Sequence, residues 1–396
     1  MIKKQRPSFF YQINARPVRK FSGSKVYVST GDSGDMDNGD LVTYFNRPSR
    51  ANVEPYLNDI LFAKMADTDK TFLVDKPMEE KIFSTGFFDI SSNRIYPQFL
   101  YYLVKSDEFD GYKNAYSEGT TQISINEKKL KKICVSYEVD YGKQKKIADF
   151  LNNKINRINL LISKLESSIK LLNDLKTSKI NDVISRSKQN ALSIDLKYFS
   201  YISGRIGWQG LKSDEFTDKG PFLITGTDFL DDGTINYQTV VHISNKRYHE
   251  ASNIQVKEND VLITKDGTVG KVAFINKLFG PTSLNSGVML IRTKTNICFP
   301  KFLYYYLKSS YFWSWFKNTS REASTIIHLY QHQFMNFQII LPSLETQIKI
   351  TDYLDKYIME LSDLIREKSS RIDELNKLKK SLIYEYVSGK KEAPEK

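Results

Sequence analysis

The stretch of this chain that most invites chemistry is TKDGTVGK, residues 264–271, in which two lysines bracket two glycines. Glycine lets backbone N–H groups approach a phosphate closely, which is how phosphate-binding loops work. The spacing is nevertheless wrong for a nucleotide loop, and strand-like residues follow where such a loop would open a helix. The pattern predicts a hairpin tip instead, with Gly267 and Gly270 supplying positive φ. From that tip Lys265, Thr268 and Lys271 could reach a nucleic-acid backbone, although a plain surface hairpin would carry the same residues. HLYQH places His328 and His332 four apart, one face of a helix, but no third ligand or catalytic glutamate accompanies them, so no metal is expected. The aromatic run YYYLKSSYFWSWF, residues 304–316, could stack on bases, yet aromatics at helical spacing usually form core. Arg47, Arg50, Lys246, Arg247, Arg292 and Arg321 are further candidates for phosphates or guanine edges. No Walker loop, Asn-Pro-Pro-Tyr-like methyltransferase motif or spaced nuclease carboxylates are present, so no catalysis is expected.

Composition narrows the partner. The 396 residues are 40% hydrophobic and 26% charged, which is globular, and too long for one ordinary core. With 58 Lys and Arg against 46 Asp and Glu the formal charge is +12, which suits a polyanion, nucleic acid ahead of a membrane surface. Cys134 and Cys298 share no pairing or metal-site spacing, pointing to a reducing cytoplasm. The basic start, MIKKQRPSFFYQINARP, lacks the apolar run of a signal peptide, and no stretch is apolar enough to span a membrane.

The elements that would position these residues occur twice. QKKIADFL begins at Gln144 and QIKITDYL at Gln347, 203 residues later. The same offset relates PQFLYYLVKS, from Pro97, to PKFLYYYLKS, from Pro300. Upstream it drifts to 201, relating NDILFAK (Asn58 to Lys64) to NDVLITK (Asn259 to Lys265). Each copy opens with about 150 residues of short β-branched and aromatic segments bounded by turn residues, an α+β pattern, with a helix after each repeated proline.

Each copy closes differently. Ile155, Ile158, Ile162, Leu165, Ile169 and Leu172 step by three and four, and Ile358, Leu361, Ile365, Ile372, Leu375 and Leu382 fall on the same rhythm with Lys368 and Lys379 at the missing beats. This is the seam of a coiled coil, in helices of about 40 residues, or ~60 Å at 1.5 Å per residue. Lys176 and Lys379 fall on the seam at equivalent places and are expected to snorkel outward. A helix cannot bury its stripe alone, and the simplest partner is the other copy, packed antiparallel. The expected order is a globule at 1–142, a helix at 143–188, a globule at 189–342, a helix at 343–391 and a polar tail at 392–396. Antiparallel packing would place the globules at opposite ends, related by an internal pseudo-two-fold axis.

NDVLITKDGTVGKVAFI (Asn259 to Ile275) and ILPSLETQIKITDYLD (Ile340 to Asp355) resemble, in that order, the target recognition domain and spacer-helix start of the DNA-specificity subunits of type I restriction–modification systems. GKQKKIADFLNNKINRINLL in the first copy is similar to the same helix start. The first copy departs elsewhere: Lys64 to Lys70 reads KMADTDK, without either glycine, and no Leu-Pro precedes its helix. The resemblance implies two target recognition domains reading the halves of a bipartite, asymmetric site in double-stranded DNA, with the helices setting the gap. Lys64, Lys70, Arg47, Arg247, Arg292, Lys265, Thr268 and Lys271 would be the candidate contacts. It also implies a non-catalytic chain: a modification subunit would methylate adenine with S-adenosylmethionine, and a restriction subunit would use ATP and Mg. A coiled-coil scaffold that binds only proteins is the alternative.

Overall fold

A computed structural model describes residues 2–6, 11–31, 39–120, 123–187, 191–205, 211, 213–319 and 328–394. Arg321 lies outside them. The chain forms two compact units, one of residues 1–165 with 370–396 and one of residues 166–369.

In the first unit, Gln12–Ile13, Phe87–Ser91, Ile60–Ala63 and Thr71–Leu73 form a four-stranded antiparallel sheet in that order. A second sheet runs Asp40–Val42, Lys25–Val28, Ile82–Ser84, Ala51–Val53, with a parallel pair at its centre. In the second unit, Ser200–Gly204, Val288–Thr293, Val261–Thr264 and Val272–Phe274 repeat the first sheet. Val241–Ile243, Phe216–Ile224 and Thr282–Leu284 repeat three strands of the second, parallel pair included. The repeat also preserves the turn that launches the central strand. Asn58 and Asn259 take φ of 70° and 69°, a conformation asparagine tolerates better than most residues. The aspartates that follow, Asp59 and Asp260, are buried and accept from the backbone N–H of Tyr56 and Lys257.

The repeated prolines sit in the first turn of the helices Pro97–Val104 and Pro300–Lys308, where a missing N–H costs nothing. Two-stranded ribbons, Ile2–Gln5 with Val135–Glu138 and Leu192–Asp195 with Gln338–Leu341, lead into the long helices Tyr141–Arg186 and Leu344–Val387. Gln144 and Gln347 explain why the repeat keeps a glutamine there. Each is buried and clamps its helix to its own globule. Gln144 accepts from Tyr96 N–H and donates to Glu138 C=O. Gln347 accepts from Phe299 N–H and donates to Ile297 and Pro342 C=O.

Within each unit the two long helices run antiparallel. In the first unit Phe150 packs against Tyr386 with ring centroids 4.6 Å apart and planes tilted by 42°, and Ile155 and Asn159 share a cavity with Ile383 and Asn376. Ile147, Ala148, Leu151 and Ile155 thereby join Ile383, Tyr386 and Val387 in the main core. In the second unit the Lys179 ammonium lies 5.0 Å from the Tyr357 ring centre, and Ile169 and Asn173 face Ile365 and Ser362. Ile180 and Ile184 meet Leu354 in that unit's core.

Along the helices Ile155, Ile158 and Leu361 are buried. Ile162, Leu165, Ile169, Leu172, Ile358, Ile365, Ile372, Leu375 and Leu382 are half-buried. Lys176 and Lys379 do not snorkel into open solvent. Lys379 lines a cavity of about 290 Å³ with Lys105, Asp69 and Tyr101, and Lys176 one of about 530 Å³ with Lys308, Asp232 and Tyr304. Burial, and then the neighbouring lysine, lowers the pKa of each.

Candidate nucleic-acid interface

The TKDGTVGK stretch is the predicted strand–turn–strand. Val261–Thr264 pairs antiparallel with Val272–Phe274, and the buried Thr264 ties the connecting loop together. Its N–H donates to Lys271 C=O, its hydroxyl accepts from Lys271 N–H, and that hydroxyl donates to Thr268 C=O. Gly267 and Gly270 have φ of 68° and 86°. Gly270 is required twice over, because a Cβ there would stand 2.5 Å from the Trp313 ring. The loop is therefore rigid, with Thr268 and Lys271 exposed and Lys265 half-buried at its base. Sequence reasoning missed what braces it. His328 donates to the Asp266 carboxylate, and Leu329 N–H donates to Lys265 C=O. HLYQH is thus a buttress of the hairpin, and no group of three or more His, Cys, Asp or Glu among the described residues could hold a metal.

The first unit solves the same turn without glycine. Asp67 takes φ of 52°, held by reciprocal hydrogen bonds with the Asn114 side chain at 3.0 and 3.1 Å. Lys64 is half-buried with its ammonium 4.6 Å from the Phe88 ring centre, and burial lowers its pKa. Lys70 donates to the Thr30 carbonyl. Both lysines are drawn toward their own domain, unlike Lys271.

The arginines divide likewise. Arg292 donates through two nitrogens to the buried Asp260, each at 2.7 Å, and to Gln255 C=O. Its position in the first unit is taken by Ser91, and there Arg16 approaches the buried Asp59 at 2.6 Å from the segment that follows the strand Gln12–Ile13. Arg247 bridges Glu215 and Glu250 at 2.9 Å each. Arg47 lies 4.7 Å over the Tyr44 ring and donates weakly to Asn52 at 3.4 Å. Arg47 and Arg247 follow equivalent strands, each ended by a hydroxyl cap: Thr43 accepts from Asn46 N–H in a turn, and Ser244 from Arg247 N–H at the start of the short helix Asn245–His249. Just after the cap the first unit carries Phe45 and the second Lys246.

The family described as the type I restriction modification DNA specificity domain matches twice, over residues 13–171 and 206–374, most of the chain. The specificity subunit of the type I restriction enzyme MjaVIII from Methanocaldococcus jannaschii is 30% identical over 186 residues, 47% of this chain and 39% of that protein. The EcoBI specificity subunit from Escherichia coli is 22% identical over 161 residues, 40% of this chain and 33% of that protein. The alignments thus span under half of either relative. A chain from a structure on complex assembly and conformational transition of the type I R-M system superposes over 97% of this chain and 99% of its own, with a TM-score of 0.69 at 20% identity. That likeness shows a shared fold.

Proposed function

This chain belongs to the type I restriction modification DNA specificity family, and from that premise we propose that it is the non-catalytic, sequence-specific DNA-binding subunit of a type I restriction–modification complex. Each globular domain reads one half of a bipartite, asymmetric target in double-stranded DNA, and the paired helices set the gap. Adenine methylation, with S-adenosylmethionine, belongs to a modification subunit, and ATP- and Mg-dependent restriction to a third partner, all in the cytoplasm. No helix among the described residues is long and apolar enough to cross a membrane.

One observation carries this reading: the two domains share a framework down to the Asn-Asp turn and the glutamine clamp, yet differ at the loops that project from it. A duplicated scaffold with dissimilar exposed loops suits a reader of two different half-sites. Exposed Lys271 and Thr268 suit phosphate contacts, which position a protein on a duplex without specifying sequence. Arg292 contributes instead by holding Asp260 beneath the sheet.

The test is methylome sequencing of a host with and without this gene, together with selection from a random duplex library by the chain bound to its modification partner. One two-part sequence should emerge from both, with binding that falls steeply with salt as counterions are released. Equal affinity for all duplexes and no lost methylation site would refute the reading and favour a protein-binding scaffold.

A further inference from the structure

The first unit carries a large apolar side chain that its fold does not use. Phe45 is 84% exposed, the most exposed of the large hydrophobic residues among those described. Single exposed hydrophobics are ordinary on protein surfaces, but this one is presented, and rigidly. Thr43 and Asn46 close the turn around it through two side-chain–backbone hydrogen bonds, at 2.6 and 3.3 Å. Tyr44 meets Phe45 edge-on at 5.4 Å and Phe21 edge-on at 6.0 Å, and Phe21 rests on the small core of Val18, Tyr27, Val42, Ala51 and Ile82.

One cation lies against the ring and two more lie close to it in sequence. The Lys20 ammonium lies 5.8 Å from the Phe45 ring centre, Arg47 caps Tyr44, and Arg50 is exposed four residues beyond the turn. Among the described residues none of these three cations pairs with a carboxylate. An exposed apolar tip with a lysine against it and two arginines on the same segment is complementary to a duplex, whose phosphates flank stacked apolar bases. It is a poor match for an acidic peptide, which would leave the phenyl ring in water.

We propose that Phe45 is a wedge that enters a base step in the half-site read by the first domain and partly unstacks it, while Lys20, Arg47 and Arg50 hold the flanking phosphates. Wedges of this chemistry open base steps at the cost of stacking, recovered in new protein–DNA contact. At the equivalent place the second domain carries Lys246 instead. This deepens the proposed function and rests on the first domain being a DNA reader.

The test uses the full chain with its modification partner. Wild-type protein first selects a sequence from a random duplex library, and 2-aminopurine is then substituted at each adenine of the selected duplex. Apart from the adenines that the modification partner flips out for methylation, binding should raise the fluorescence at one further step, in one half-site only. Phe45→Ala should abolish that rise and weaken binding about fivefold to a hundredfold, the range for lost base–aromatic stacking, with thermal unfolding unchanged. Phe45→Trp should restore both. If wild-type protein selects no sequence, the DNA-reading proposal itself fails and the wedge with it. If a sequence is selected but Phe45→Ala leaves affinity within twofold and the fluorescence pattern intact, the wedge alone is overturned. Loss of partner assembly in Phe45→Ala, with DNA binding retained, would overturn it equally and assign the ring to a protein contact.

Discussion

The two domains are alike where they bear load and unlike where they project. Leu151 and Leu354, equivalent leucines about three turns into the long helices, are both fully buried, and the glutamine clamps differ by one hydrogen bond. By contrast, one turn is built on Gly267 and Gly270 and the other on Asp67, and after the equivalent caps one domain carries phenylalanine where the other carries lysine. Packing tolerates few alternatives, since a lost methylene is felt throughout a close-packed core. A solvent-facing loop is constrained only by its turn and its ligand. The difference therefore maps where the two domains share a task and where each has its own.

The largest test of that comparison addresses the shared part. Leu151→Ala should destabilise the first unit, and Leu354→Ala the second, by ~2–5 kcal/mol each, the usual cost of emptying a leucine site. Cys134 lies in the first unit and Cys298, which is buried, in the second, so thiol labelling in urea, normalised to the unfolded chain, reports each unit separately. Equal losses would confirm that the repeat is mechanical. A loss in only one unit would break the equivalence.

An intermediate effect separates the units by pH. Asp89 is buried on the first unit's central sheet, opposite Leu61, where the second unit has Leu290 opposite Leu262. Burial pushes its pKa up to about 7, with Asp59 adding to the rise and Asn14 and Arg16 opposing it. An unfolded aspartate titrates near 3.9. The folded unit therefore holds this proton more tightly, so the stabilisation is complete below about pH 4 and is lost as pH rises through about 7. The first unit should weaken by at most about 1.4 kcal/mol per pH unit across that window. Asp89→Asn should flatten the slope, and the second unit should lack this contribution. An unchanged slope in Asp89→Asn would show that another group is responsible.

The smallest effect concerns the loop lysines. Lys271→Ala should lower the salt dependence of binding by about one counterion while leaving the selected sequence unchanged. Lys70→Ala should change it less, because its ammonium is engaged by the Thr30 carbonyl. Equal effects would mean that the first unit's loop opens on DNA.

The framework was legible in the sequence because tight packing preserves spacing. The 203-residue offset survives through both long helices and the prolines, where one inserted residue would rotate every seam position. The glutamines were visible as repeats, but their clamp depends on backbone groups 48 residues away. Arg292 looked like any basic candidate, because Asp260 is brought to it only by strand pairing. Phe45 carried no signal at all. A phenylalanine between β-like segments reads as core, and only the folded turn shows that it has no pocket of its own.

The make-up of the first unit has a consequence for synthesis. Residues 370–394 belong to it as much as residues 2–165 do: Ile383, Tyr386 and Val387 complete its core, and Ala393 packs against it. Residues 166–369 are a contiguous unit whose every part has emerged from the ribosome sooner. The domain translated first is therefore the one finished last. Until translation passes residue 387, the nascent chain must carry an open apolar helix face, and a message cut short before that point yields a protein with one sound domain and one unclosed.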